Sequence, residues 1–226
     1  IFLTVFFNSL EGKEPTNKQI LSLKKWFWIT SYSNYFTIYS LSNQRKAFET
    51  FKKFTDDENI DPVYFDNDKT KFSTAEFPNK IQMGSVRAKA LALFMINYSQ
   101  GISKISLAKI DSESVGNFEF GSLFSLPQRD NPSENIVPII DRLNVKDDFV
   151  FKDLLRKSKR KNNSYLLNFK NINLFIDEEM VDIYLNNKDV ANLLDVRKKK
   201  IMKAEKKFVD SLDIEYSDAD WFLIDF

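Results

Sequence analysis

The sequence predicts a mainly α-helical protein, a multi-helix, bundle-like fold around a Trp/Phe-rich core with a short β hairpin, and three observations carry that expectation. Twenty-two Phe and three Trp stand against five Gly and six Pro in 226 residues, a composition that favours long elements over the tight turns of a β-sandwich. Apolar residues recur at threes and fours in several stretches, which is the period of a helix face. The most apolar and aromatic stretch, Ile20 to Tyr39, carries Trp26, Phe27, Trp28, Tyr32, Tyr35, Phe36 and Tyr39 with only Lys24 and Lys25 as charges. The rest of the chain is read as arranged around it.

Taken in order, Ile1 to Leu10 reads as the end of a buried helix stopped by Gly12. Thr16 and Gln19 have the spacing of a capping box, and Ile20, Leu23 and Phe27 then define an apolar stripe with Lys24 and Lys25 outside it. Tyr32 to Ser42 continues as a second helix after a bend. From Ser42, Ala47, Phe48, Phe51 and Phe54 share one helix face and Arg45, Lys46, Lys52 and Lys53 the other. Asp56 to Lys80 contains Pro62 and Pro78 and shows no sustained period, so it reads as loop with short pieces of structure. Ser85 caps a helix whose run Ala88 to Ile96 is apolar almost all round, a helix for the middle of a core, closed by Gly101.

Between Gly101 and Pro138 a short strand pair fits the brief alternation and the spaced Gly and Pro. Phe149 to Leu155 reads as helix and the basic run Arg156 to Lys161 follows. Tyr165 to Ile176 is strand or helix, which a short apolar run does not decide. Asp177 to Leu185 and Lys188 to Leu212 are two helices, the second with Val190, Leu194, Ile201, Ala204 and Phe208 at helical spacing. Its other faces hold Lys198, Lys199, Lys200, Lys203, Lys206 and Lys207. The acidic tail from Asp213 carries Trp221, Phe222, Leu223 and Ile224 as a docking segment. Two regions follow from this reading, 1–100 and 101–226.

Composition also excludes chemistry. Thirty-three basic and thirty-two acidic residues give a formal net charge of +1, so no field of the whole molecule attracts nucleic acid or membrane. The absence of Cys removes disulfides and thiolate chemistry and suits a reducing cytoplasm. The absence of His removes the usual neutral-pH general base and the commonest metal ligand. No Gly-rich phosphate loop is present. No apolar run approaches the roughly 18–20 residues that span a bilayer, so no membrane partner is expected. The apolar start reads as a helix cut from a longer chain and not as a signal peptide.

Four features remain as candidates. The aromatic block around Trp26 fits a base-stacking platform, although its helical spacing fits core packing better. Arg156, Lys157, Lys159, Arg160 and Lys161 place five cations in six residues, enough for several phosphate contacts, and such a run is also what a solvated loop looks like. The lysine face of Lys198 to Lys207 is interleaved with Asp195, Glu205 and Asp210, which would neutralise it. Glu11-Gly12-Lys13 and Glu205-Lys206-Lys207 have the Glu-x-Lys form of carboxylate nucleases, but Glu205 reads as exposed in mid-helix. No catalytic residue, metal site or cofactor is assigned.

Lys25-Trp26-Phe27-Trp28 followed by Ser31-Tyr32-Ser33-Asn34-Tyr35 resembles a signature in the helical middle of a restriction-related family. Met83 to Leu91 resembles the family helix after a long variable loop, and Val190 to Phe208, with Val196-Arg197 near its middle, is similar to a closing helix that carries an arginine. In that family, a ParB/sulfiredoxin-like NTPase-nuclease domain precedes a helical region and a C-terminal HNH nuclease domain, the layout of modification-dependent restriction enzymes of the GmrSD type and related phage-defence proteins. The resemblance implies that this chain corresponds to the part after the NTPase-like domain. It implies a histidine in the interval Ser122 to Gln128, where none is present, and places Asn135 and Asn144 where the family's two asparagines fall. The expectation is a degenerate HNH-like region that does not cut. Its partners would be an N-terminal domain of the same protein or a partner subunit, with DNA backbone as a further contact. The alternatives are a carboxylate-based metal nuclease, whose acids would converge in the fold, and a protein-interaction scaffold using the acidic tail.

Overall fold

A capping box starts the first long helix as its sequence requires. Thr16 Oγ1 accepts from the Gln19 N–H at 3.1 Å, and Gln19 Oε1 accepts from the Thr16 N–H at 2.9 Å, so two donors that a helix start leaves unpaired are satisfied reciprocally. The computed structural model describes residues 1–66, 71–81, 84–99, 120–127, 131–138 and 174–217. Within them the chain is mainly helical around an aromatic core, as the sequence predicts. The elements are α1 (Phe2–Ser9), α2 (Asn17–Tyr32), α3 (Tyr35–Ile38), α4 (Leu41–Asp56), β1 (Phe72–Ser73), α5 (Val86–Ser99) and β2 (Phe120–Ser122). A 3-10 turn (Ser133–Asn135), β3 (Ile136–Pro138), α6 (Glu178–Asn187), α7 (Val190–Asp210) and β4 (Ile214–Glu215) follow. They belong to two compact units, Ile1–Phe77 with Lys206–Phe226, and Pro78–Glu205. Among the described residues no helix is long and apolar enough to cross a membrane.

The first unit is built on ring contacts. Phe2 of α1 lies 5.4, 5.2, 5.3 and 5.1 Å between centroids from Trp26, Phe36, Phe48 and Phe51, and Trp26 meets Phe51 at 4.9 Å. Such pairs contribute about 0.5–1.5 kcal/mol each beyond the area they bury. The sequence places a buried helix at Ile1 to Leu10. α1 buries Phe6 completely but leaves Leu3 and Phe7 exposed.

The inward face of α2 also departs from expectation. Phe27 is 38% exposed, whereas Trp26, Ile29 and Tyr32 are buried. Trp26, Phe27 and Trp28 are consecutive large aromatics that point to different sides of the helix, so periodicity does not fix which side faces in. The rings of α1 and α4 select the Trp26 side.

The expected bend falls at Asn34, whose φ of 50° lies in the left-handed region that Asn tolerates. α3 then adds one turn. The Tyr35 hydroxyl donates to the Tyr64 carbonyl at 2.9 Å and accepts from the Tyr64 N–H at 3.0 Å, which ties the loop after α4 to the core. Burial pushes the Tyr35 phenol well above its usual range. In α4, Ala47, Phe51 and Phe54 face in, and Arg45, Lys46, Lys52 and Lys53 face out, as the sequence indicates. β1 pairs in parallel with β4, Phe72 opposite Ile214.

In the second unit Ser85 Oγ accepts from the Ala88 N–H at 3.2 Å and caps α5. Arg87, Ala88, Ala90, Leu91, Ala92, Phe94, Met95 and Ile96 are buried, much as the sequence expects of this run, but Leu93 within it is 39% exposed. β2 and β3 form an antiparallel hairpin, Gly121 opposite Val137, in the interval where the sequence expects a strand pair. Asp177 Oδ1 accepts from the Met180 N–H at 3.3 Å and starts α6. Leu123, Phe124 and Val137 of the hairpin join Leu174, Ile176, Met180, Val181, Leu193 and Leu194 in one apolar cluster.

Candidate functional site: a buried amide and guanidinium behind the hairpin

The hairpin is held by a side chain that imitates a strand partner. Asn135 is completely buried; its Oδ1 accepts from the Phe124 N–H at 3.0 Å and its Nδ2 donates to the Phe124 carbonyl at 2.9 Å. Nδ2 also donates to Asn131 Oδ1 at 2.7 Å, and Asn131 Nδ2 donates to Ser122 Oγ at 2.9 Å. Both donors of the Asn135 amide are therefore occupied. The backbone it grips, Phe124, lies within the interval where the resemblance expects a histidine. Leu123 and Phe124 there are buried in the apolar cluster.

Arg197 of α7 is equally buried. Its Nε donates to the Leu174 carbonyl at 3.1 Å, and its Nη1 donates to the carbonyls of Glu134 and of Ile136, the latter at 3.0 Å. One guanidinium thus joins the 3-10 turn, β3 and the segment entering α6 to α7. Its rigid fork of donors suits this better than an ammonium would. Burial lowers Arg197 to about 9, with the nearby Glu134 carboxylate opposing the shift, so it stays charged at neutral pH. Burial raises Glu134, against smaller opposing effects that include Lys198 and Arg197.

Of the residues the sequence nominates, Asn135 and Arg197 are brought together behind one hairpin. Asn144, Arg156, Lys157, Lys159, Arg160 and Lys161 lie outside the described residues, as do Phe149 to Leu155, 165–173, Trp221 and Phe222. Trp26, Tyr32 and Tyr35 are core residues and offer no open stacking face. The lysine face of α7 carries ion pairs: Lys199 with Asp195 at 3.1 Å, Lys200 with Asp177 and Glu179, and Lys206 with Asp210 at 2.7 Å. Desolvation works against the Lys200 charge, but the two carboxylates outweigh it and raise its pKa.

Glu205 requires correction. The sequence reads it as exposed; it is fully buried and paired with Arg87. It pairs with an arginine of α5. Glu11 stands in the turn after α1 at a φ of 50° and is exposed. Sequence reasoning missed Arg87, Asn131 and Glu134; the one available signal was a charged residue inside an otherwise apolar helix, at Arg87. Among the described residues, no group of three or more Asp or Glu is placed to hold a metal ion. No family model, curated protein or solved structure matches this chain.

Proposed function

We propose that this chain is the non-catalytic C-terminal portion of a restriction- or phage-defence-like protein. It braces an N-terminal NTPase/nuclease domain, in the same protein or in a partner subunit, and touches DNA backbone through Arg156, Lys157, Lys159, Arg160 and Lys161. The setting is cytoplasmic, in keeping with the absence of Cys.

One observation carries the reading. The asparagine that the resemblance singles out, Asn135, is buried and its amide is engaged by the Phe124 backbone and Asn131. An amide so engaged fixes a hairpin and does not orient a water or a base. With no histidine in the chain, the hairpin keeps a scaffold without the group that general-base hydrolysis uses. The closing-helix arginine, Arg197, supports the same reading from behind, because it binds the carbonyls of Glu134 and Ile136 on either side of Asn135.

A cationic run on a rigid scaffold follows phosphates without reading sequence. Duplex DNA binding measured at several salt concentrations tests the contact. Each phosphate neutralised adds about −0.9 to the slope of log K against log salt, so replacing all five cations by Gln should flatten the slope. Absence of binding at low salt, or a slope that ignores the replacement, counts against DNA and favours a protein partner.

A further inference from the structure

Arg45, Lys46, Lys52 and Lys53 on the outer face of α4 are all exposed, and among the described residues none of them forms an ion pair. The lysines of α7 behave otherwise, since Lys199, Lys200 and Lys206 each hold a carboxylate. Glu49 stands between the two α4 doublets, exposed and at the i,i+4 spacing that suits a pair with Lys53, yet the pair is not made. The helix beneath is well anchored. Ser40 Oγ accepts from the Asn43 N–H at 3.3 Å, Gln44 Nε2 donates to the Phe36 and Tyr39 carbonyls at 2.9 and 3.0 Å, and Ala47, Phe51 and Phe54 are buried. Cations on such a support lose less freedom when they make a contact. The local charge is also one-sided: α2 and α4 together hold seven Lys or Arg against Glu49 and Asp56, a difference of +5 in a chain whose formal net charge is +1.

We propose that the outer face of α4 is a second surface for the backbone of duplex DNA, with Arg45 and Lys46 taking phosphates at one end and Lys52 and Lys53 at the other. The doublets lie seven residues apart, about 10.5 Å along the helix axis. Over that length a duplex presents about six phosphates, and its major groove is about 12 Å wide, so both doublets meet backbone at once. A cationic face that its own chain leaves unneutralised is complementary to that charge density. It also needs no whole-molecule field, because the excess is local to two neighbouring helices, joined by the 4.9 Å contact of Trp26 with Phe51. This inference rests on the DNA contact proposed above and adds α4 to the run from Arg156 to Lys161.

Binding of a short synthetic duplex is measured by fluorescence anisotropy at several salt concentrations. One variant combines Arg45→Gln, Lys46→Gln, Lys52→Gln and Lys53→Gln. A control loses the same charge at other exposed positions, through Lys24→Gln, Lys25→Gln, Lys203→Gln and Lys207→Gln. The α4 variant should flatten the slope of log K against log salt by about 0.9 for each phosphate released, up to about 3.6, and the control by less than one such step. Glu49→Gln removes the carboxylate between the doublets and should tighten binding about two- to fivefold, the range of one exposed charge interaction. That gain is one no loss of folding can imitate. An α4 variant indistinguishable from the control, or a Glu49→Gln chain that binds no tighter, would overturn the proposal. The five cations from Arg156 to Lys161 are replaced in a separate chain. A slope that responds to them and not to α4 removes this surface alone, whereas a wild type that does not bind duplex at low salt removes both.

Discussion

Arg87 and Glu205, 118 positions apart, form a two-point ion pair in which Nη1 donates to Oε1 at 2.9 Å and Nη2 to Oε2 at 2.8 Å, with both side chains buried. The pair joins α5 to α7. A buried pair of this kind is weak evidence of net stabilisation, because desolvating two charges costs about as much as their attraction returns. Losing one partner is different, since it strands the other charge. Glu205→Ala should therefore destabilise the protein by about 3–5 kcal/mol, while Arg87→Met with Glu205→Leu should recover most of that loss. Chemical denaturation of the wild type, Arg87→Met, Glu205→Leu and the double variant measures the coupling.

Arg197 offers a second test with a different chemistry. Its donors meet three backbone carbonyls, at Leu174, Glu134 and Ile136. Arg197→Met keeps much of the stem and leaves all three without that donor, at about 1–3 kcal/mol for each buried group left unpaired. Arg197→Lys should recover only part of the loss, because a point ammonium does not reproduce the fork. A lysine variant as stable as wild type would show that the guanidinium geometry is unimportant.

Asn135 should behave as a structural residue. Asn135→Ala removes the three hydrogen bonds that join it to Phe124 and Asn131. Asn135→Asp replaces two donors by acceptors opposite the Phe124 carbonyl and Asn131 Oδ1, and should be at least as destabilising as alanine, by about 2 kcal/mol or more. Amide exchange in β2 and β3 should accelerate in both variants while the helical circular dichroism persists. Unchanged protection of the hairpin would remove Asn135 from this role.

Much of the fold was legible in the sequence because its signals are local. The Thr16–Gln19 capping box and the Ser85 cap act over three residues, and the α4 face repeats within one helix. Which side of α2 faces in was not legible, because Trp26 and Phe27 are both large aromatics and only rings from α1 and α4 choose between them. The Arg87–Glu205 pair was hidden for a related reason: Glu205 lies among lysines that look like its natural partners. Asn135 was nominated by resemblance, but its bonds to Phe124 cross a loop whose closure no local pattern describes.

Acidity gives a fourth prediction. Burial raises the Glu134 carboxyl above its usual range, so its folded value exceeds its unfolded one. The unfolded chain then loses the proton first, and stability present at low pH is lost as pH rises from the unfolded value through the folded one. Glu134→Gln should abolish this component, making the variant's stability relative to wild type greater at neutral pH than in acid. Denaturation midpoints measured across the acid range check the sign; a variant that loses relative stability as pH rises would reverse it.

The most direct measurement is incubation of the purified chain with supercoiled plasmid in Mg²⁺ or Mn²⁺. With no imidazole to activate water and Asn135 engaged inside the hairpin, the supercoiled band is expected to persist at the level of a protein-free control. Nicking or linearisation that grows with protein concentration, disappears on chelation, and is lost when Glu134 or Asp195 is replaced by its amide would contradict a bracing role and establish carboxylate-based cutting in its place.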